Sequence, residues 1–350
     1  MDTYAQWTLP TTDGIDSLEL DEKVPVSSLP PLGDSDVLVN IKAAAINYRE
    51  LVIAKGTVPG TIKPSIVPCS DGSGIIQAVG KDVLDFKPGD KVLTHMCPHI
   101  PATQPPLFPE ISAGLGQNEH GTLRQLGTFH HSAVVHAPAN VSHEEGCTLT
   151  CSGLTAYNAL FGLRGNEVKA GDWVLVQGTG GVSIAALQFA VAAGANVVAT
   201  TSNTEKAERL QKLGAKEVVN YRTNSSWETT ARAYTPESRG FDLIVDIAGN
   251  ESLPQSLAAI RADGVVVVAG ILGDSAAEAV PMLSCLWHGC IVRGLFLGTR
   301  QRFREMVKFV EEKDVHPVVD EKVFEMKKAR EAFEYLEQRK HFSKVVIRVS

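Results

Sequence analysis

The stretch that decides the fold is "VLVQGTGGVSIAALQF", Val174 to Phe189. An apolar run rich in β-branched residues meets a cluster of glycines and passes straight into an apolar helical pattern. A buried strand, a glycine turn and a helix in that order open a dinucleotide-binding βαβ unit. Such a turn works because backbone must pass close to a pyrophosphate. Gly178 permits the tight bend, Gly180 lets the chain approach, and Thr179, Gly181 and Val182 lead into a helix start whose free N–H groups bind phosphate. The third glycine of the G-x-G-x-x-G fingerprint is here Ser183. That place serves helix–strand packing rather than phosphate contact, and serine is small enough to fill it.

Reading onward from this unit, the helix ends at Gly194. "ANVVATT" reads as a strand, "NTEKAERLQKLG" as a charged amphipathic helix and "AKEVVNY" as another strand. "FDLIVDIAG", "GVVVVAGI" and "CIVRGLFLG" are three more strand candidates. Alternating strands and helices of these lengths predict a parallel sheet covered on both faces, an α/β architecture. Helices over "RQRFREMVKFVEE" and "AREAFEYLEQRKHF" and a last strand "SKVVIRV" close the chain. Reading backward, residues 1 to about 150 carry short strands such as "DVLVNIKAAAIN", "SGIIQAVG" and "DKVLTH", parted by Gly, Pro and Asp turns, which suggests a barrel-like β domain. Met96 to His120 is rich in Pro and Gly without clear periodicity, and a loop of that length reads as a functional lid.

At 350 residues the chain is long enough for two domains, and a net charge of −7 gives no electrostatic case for binding nucleic acid or a membrane surface. No run approaches the roughly 18 apolar residues of a membrane span. The amino terminus lacks a basic region followed by an apolar core, so no secretory signal is read there. The six cysteines form no C-x-x-C pair and read as reduced thiols of a cytoplasmic protein.

Which dinucleotide is bound follows from the end of the strand after the glycine turn. An NAD-selective site wants Asp or Glu about 20 residues beyond the glycines, to hold the adenosine ribose hydroxyls. The count lands on Thr200, in "ATTSNTEK", where there is no carboxylate. Thr201, Ser202 and Asn203 offer hydrogen bonds and Lys206 a positive charge, groups suited to a 2′-phosphate. NADP(H) is therefore expected; the plain alternative for Lys206 is a solvated helix residue.

Taken together, "AAAINYRELVIAKG", "PCSDGSGIIQAVGKDVLDFKPGDKV", "TCSGLTAYNAL", the Val174–Phe189 stretch and the closing "KHFSKVVIRV" resemble the medium-chain dehydrogenase/reductase superfamily along essentially the whole chain. Within it the sequence is similar to the zinc-independent, alcohol-dehydrogenase-like branch near the quinone oxidoreductases. The "INYRE" segment is also similar to polyketide-synthase enoyl reductase domains. The resemblance implies a GroES-like, β-rich catalytic domain built from residues 1–152 and 298–350. A Rossmann doubly wound parallel sheet, residues 153–297, would be inserted between those two segments, with catalysis in the cleft and a homodimer formed edge to edge through the nucleotide domain.

Zinc-using members supply a cysteine where this chain has Asn47 and a histidine where it has Ser70. Of the three ligand positions, only Cys151 keeps a ligand type, and a catalytic zinc site needs three protein ligands and an open position. The structural-zinc lobe, with its four close cysteines, is also missing. "HMCPH" clusters His95, Cys97 and His99, which strand alternation would put on one face. With no fourth ligand and a proline-rich loop beside it, that cluster is read as chance. No zinc is expected.

Without a metal, a carbonyl substrate needs a hydrogen-bond donor or cation on its developing oxyanion, while an enone spreads that charge onto a remote oxygen. The expected reaction is hydride transfer to an activated C=C or a C=O of a small apolar molecule. An alcohol or ketone dehydrogenase using water and Tyr48 in place of zinc is an alternative; a non-catalytic NADP(H)-binding protein is a rival of another class. The resemblance places Tyr48, Asn47 and Thr155 near the nicotinamide, with Tyr48 the leading proton donor or stacking surface and Asn47 a second polariser. A tyrosine that some quinone oxidoreductases carry slightly downstream is aliphatic here, near Val52. Arg49 and Glu50 read either as an interdomain ion pair or as substrate contacts, and Asp71 as a structural hydrogen-bonding residue. For the cofactor the resemblance adds Tyr221 beside the adenosine phosphate, Gly270 and Ile271 at the carboxamide, Phe296, Leu297 and Gly298, and Lys344 toward the pyrophosphate. An exposed strand-end lysine is the plain reading of Lys344.

Overall fold

The computed structural model describes residues 2–270, 272–273 and 276–350. The chain divides into two compact units, Met1–Leu154 with Thr299–Ser350, and Thr155–Gly298.

In the first unit β1 (Thr3–Thr8) and β2 (Glu19–Pro25) form a two-stranded antiparallel pair. The spine is β3 (Asp36–Ile46), followed by α1 (Tyr48–Ala54), β4 (Asp71–Val79), β5 (Lys91–Thr94), α2 (Phe108–Ala113), β6 (Leu126–His130) and β7 (Val134–His136). Along β3 the burial pattern changes from alternating to continuous. Val37, Val39 and Ile41 point inward, and then Ala43, Ala44, Ala45 and Ile46 are all buried. Small alanines let the second half of the strand be covered on both faces. Close backbone approach shapes β4 as well, since a β-carbon on Gly74 would come 2.4 Å from the Asn40 carbonyl oxygen.

After α3 (His143–Cys147) the chain makes a π-helical turn over Leu149–Gly153 and enters α4 (Leu154–Phe161). Such turns are uncommon and cluster at functional sites.

The second unit alternates strand and helix: β8 (Trp173–Gln177), α5 (Gly181–Ala192), β9 (Asn196–Thr201), α6 (Thr204–Lys212), β10 (Glu217–Asn220), α7 (Trp227–Ala233), β11 (Phe241–Asp246), α8 (Leu253–Ala259), β12 (Ile260–Val268), α9 (Ser284–His288) and β13 (Ile291–Gly294). All its strand pairs are parallel, in the order β10-β9-β8-β11-β12-β13. This is the expected doubly wound sheet. Every residue of β8 is buried, as a strand covered on both faces requires. The direction of winding reverses between β8 and β11, and ligands of open α/β sheets bind beyond the carboxyl ends of the strands at such a reversal. Gly194, with φ of +84°, ends α5 in the left-handed conformation glycine favours. Of the strand expected over "CIVRGLFLG", only Ile291–Gly294 pairs in the sheet, and the residues after Gly294 leave it.

The chain then returns to the first unit with α10 (Arg300–Glu312), β14 (Phe324–Glu325), α11 (Ala329–Glu337) and β15 (Val345–Arg348). The large sheet runs β14-β15-β3-β4-β5-β7, with β6 also paired to β3. The antiparallel register Val345↔Ile46 sets Lys344 beside the end of β3, 297 residues away in sequence from Asn47. Among the described residues no helix is long and apolar enough to cross a membrane.

Candidate active site

The first unit gathers a buried polar cluster where β3, β4 and β15 meet. Asn47 follows β3 and is the N-cap of α1, with extended backbone at φ −114° and ψ 169°. Its backbone N–H donates to Glu50 Oε2 at 2.7 Å, which closes one end of the helix. Glu50 is itself buried. Burial pushes its carboxyl pKa up, and the Arg49 guanidinium, 3.3 Å away, pulls against that rise. Lys344 Nζ donates to the Ile46 carbonyl at 2.8 Å, to Asn47 Oδ1, and to Asp71 Oδ2 at 3.3 Å. Asp71, which opens β4 and is fully buried, also accepts from Ser70 Oγ at 2.8 Å and from the Cys151 amide at 3.4 Å. The π-helical turn is what carries that amide to the carboxylate. Burial, followed by the nearby Asp71 charge, pushes the Cys151 thiol far above its ordinary range.

Asn47, Ser70 and Cys151, the three positions where zinc-using relatives carry ligands, are thus joined in one network through Asp71 and Lys344, by an amide oxygen, a hydroxyl and a backbone N–H. The ammonium already takes up Asn47 Oδ1 and one oxygen of Asp71, so a divalent cation there would have to displace it, and Asn47 and Ser70 bring no anionic ligand. Among the described residues no three His, Cys, Asp or Glu side chains are arranged to hold a metal ion. The donor set does not fit zinc.

The "HMCPH" residues do not share a face, because β5 ends at Thr94 and strand alternation stops there. His95 is buried, with Nδ1 bonded to the Cys97 carbonyl at 3.0 Å, whereas His99 pairs with Glu119 at 3.1 Å.

Tyr48, the first residue of α1, is 45 % exposed. Arg49 and Glu50 both lie in the first unit and pair with each other, so they are not an interdomain ion pair. Beyond Glu50, Arg49 donates to the Leu115 carbonyl at 2.9 Å, to Gln117 Oε1 at 3.2 Å and to the Ile111 carbonyl at 3.4 Å. These bonds tie down the 96–120 segment, which carries α2 and buries Met96, Cys97, Leu115 and Gln117. Its two ends are packed and anchored, while most of residues 101–109 are exposed. Nothing in "YRE" alone identified Arg49 as its anchor.

The second unit holds the glycine turn. Gly178 has φ of +74°, and its N–H donates to the Thr200 carbonyl at 2.9 Å. Thr179 bridges to Gly180, the N-cap of α5, whose helix start has no side-chain cap, so Gly181 and Val182 begin a helix with its first amides unclaimed within the helix. A β-carbon on Gly180 would meet nothing within 4 Å, so the glycine leaves open space directly over those amides. The residues present thus fit a diphosphate. Ser183 is buried and donates to the Gln177 carbonyl at 2.6 Å, stitching α5 to β8.

At the ends of β9 and β10, Thr201 is buried, and its hydroxyl accepts from the Asn203 amide at 3.3 Å. Asn203 caps α6 by accepting from the Glu205 amide at 2.7 Å. Ser202 and Lys206 are partly exposed, and Tyr221 is exposed one residue past β10, its N–H bonded to the Thr201 carbonyl at 3.0 Å. Gly270 follows β12, and a β-carbon there would come 2.5 Å from the Ile247 carbonyl oxygen. Ile271 lies outside the described residues. Past β13, Phe296 is exposed, Leu297 is buried with its carbonyl bonded by Asn158 Nδ2 at 2.8 Å, and Gly298 ends the unit. Thr155, buried in α4, also belongs to this unit. Lys344 does not: it sits buried in the first unit, not at an exposed strand end.

A sheet that reverses its winding over an uncapped, glycine-led helix is an architecture that binds nucleotides. Residues 181–312 match the family described as zinc-binding dehydrogenase, and residues 33–140 the alcohol dehydrogenase GroES-like domain. A zinc-type alcohol dehydrogenase-like protein of Schizosaccharomyces pombe is 40% identical over 341 residues, 96% of each chain. A solved structure from Sinorhizobium meliloti 1021 is 34% identical with a TM-score of 0.89, covering 99% of both chains. A solved NAD-dependent alcohol dehydrogenase is 29% identical with a TM-score of 0.85, covering 99% of this chain and 100% of its own. The chain belongs to the medium-chain dehydrogenase/reductase superfamily and is an oxidoreductase of the alcohol-dehydrogenase-like kind.

Proposed function

We propose that this protein is an NADP(H)-dependent, zinc-independent reductase acting on an activated C=C or C=O group of a small, largely apolar molecule. The observation that carries the metal-free reading is the ammonium of Lys344 bonded into the cluster where a zinc ligand set would have to stand. A bound nicotinamide supplies the hydride. The α5 amino terminus with Gly178, Gly180 and Gly181 would hold the diphosphate. Ser202, Lys206 and Tyr221, at the carboxyl ends of β9 and β10, would hold the adenosine phosphate, in a chain with no carboxylate at the end of β9. Gly270 and Phe296–Gly298 line the ends of β12 and β13, where the nicotinamide carboxamide would lie.

The chain's own part is to receive charge and deliver a proton. When hydride reaches the β-carbon of an enone, negative charge moves to the carbonyl oxygen, and Asn47 and Tyr48 are the donors offered to it. The α-carbon then takes a proton from Tyr48 or water. The same donors would serve a carbonyl substrate, and the alcohol-dehydrogenase names of the relatives favour keeping that second reading. NADPH and NADH consumption measured across enones, quinones and aldehydes tests both cofactor and substrate class. Faster turnover with NADH than with NADPH, or turnover of aldehydes alone, would sink the corresponding part.

We further propose a homodimer through the second unit. Its edge strand β13 lies beside an exposed apolar group, with Met282 85%, Leu283 64%, Leu286 67% and Trp287 78% exposed. Large apolar patches of this kind mark interaction surfaces, and an unpaired parallel edge is open to a second copy.

A further inference from the structure

We infer that Lys344 is a positioning residue that takes the place of a metal ion without touching substrate: it fixes the amide of Asn47 so that Asn47 Nδ2 is the hydrogen-bond donor presented to the developing oxyanion. The inference rests on the reductase reading and deepens it.

An ammonium has three donors and no acceptor. The three partners of Lys344 are the Ile46 carbonyl, Asn47 Oδ1 and Asp71 Oδ2. None is left for a pyrophosphate, the contact that the family resemblance implies. The same constraint orients Asn47. Only the amide oxygen can face an ammonium, so the NH2 group must point away from Lys344. In that direction Asn47 Nδ2 is buried and bonded to no protein group. Buried donors without acceptors are uncommon and costly, and where one persists it calls for a ligand or a role.

The rest of the residue is immobilised. Its backbone N–H is held by Glu50, Glu50 by Arg49, and Asp71 by Ser70 and the Cys151 amide. A buried donor pinned at both ends has little reorganising to do when charge appears in front of it, which is the condition for electrostatic stabilisation of a transition state. Lys344 and Asp71 neutralise each other, so the cluster brings directed N–H dipole rather than net charge to the reaction.

The test compares the wild type with Asn47→Asp, Lys344→Met and Lys344→Arg, reading kcat, KM, NADPH affinity by fluorescence titration, and bound metal. Asn47→Asp keeps an oxygen toward Lys344 but replaces the donor with an acceptor and adds a negative charge facing the oxyanion; kcat should fall at least about 100-fold with NADPH affinity unchanged. Lys344→Met should lower kcat similarly, and Lys344→Arg should recover most of it. Because Lys344→Met leaves Asp71 buried without its cation, that variant can fail to fold; Asn47→Asp then decides alone. Unimpaired kcat in Asn47→Asp, NADPH affinity lost with kcat intact in Lys344→Met, or stoichiometric zinc in the wild type would each overturn the inference. Wild-type protein that binds NADPH and turns over no acceptor defeats the reductase reading instead, a result distinct from all three.

Discussion

Two glycines two residues apart should respond to the same substitution in opposite ways. Gly178 has φ of +74°, a conformation that costs an alanine about 1–2 kcal/mol. Gly180 has φ −79° and ψ 174°, which any residue adopts, and a β-carbon there meets no atom within 4 Å. Alanine loses a little against glycine at an N-cap and gains a comparable amount from a stiffer unfolded chain, so Gly180→Ala should change stability by no more than about 0.5 kcal/mol. Its methyl group, however, would stand where the diphosphate must approach the amides of Gly181 and Val182. Losing one charge-assisted hydrogen bond, worth about 1.5–3 kcal/mol, weakens binding at least about tenfold. Urea unfolding and NADPH fluorescence titration on the two variants separate these effects. Gly180→Ala should unfold like the wild type and bind NADPH poorly, while Gly178→Ala should unfold at lower urea. A Gly180→Ala protein that is stable and binds NADPH normally would show that phosphate does not rest on α5.

Ser183→Ala should destabilise the protein by about 1–3 kcal/mol, because the Gln177 carbonyl loses its buried donor, and should leave NADPH affinity untouched. A weakened affinity with unchanged urea midpoint would reassign Ser183 to phosphate contact. Trp287→Asp, which puts a charge in the exposed apolar group beside β13, should convert a dimer to monomers in sedimentation velocity, and a wild type already monomeric would refute the interface. Burial pushes His120 and His143 down to about 4 from an ordinary 6.5, with Arg124 and Lys91 adding to it. Between those values the unfolded chain binds protons that the folded chain refuses, so stability should fall as pH drops through that window. His120→Asn should flatten part of that fall, since the His120 ring accepts the Val67 N–H only through an unprotonated nitrogen. An unfolding midpoint constant from pH 7 to 4 would contradict this account.

The doubly wound sheet was legible because its signals are local: buried β-branched runs such as "WVLVQ", glycines at the turn, and helices of fixed length between strands. The change of residue type at Asn47 and Ser70 was equally plain, since it needs only identities. Where a side chain points was not legible. Thr201 and Ser202 are neighbours in "TTSN", yet one is buried in its own turn and the other partly exposed, a difference set by strand register. Cys151 reaches Asp71 through a π-helical turn that no periodicity announces. Lys344 looks like any lysine before an apolar run, and only its pairing across β15 and β3 brings it to Asn47. Arg49 likewise shows its purpose only once Ile111, Leu115 and Gln117 are folded over it.

The seam between β3 and β15 carries a consequence for biosynthesis. Asn47 leaves the ribosome early, and the whole nucleotide-binding sheet follows it before Lys344 has been joined to the chain. A nascent polypeptide can therefore acquire a coenzyme platform while its reaction centre is still missing one of its walls. Nascent chains released short of Lys344 would be expected to retain the reductant and yet be unable to spend it.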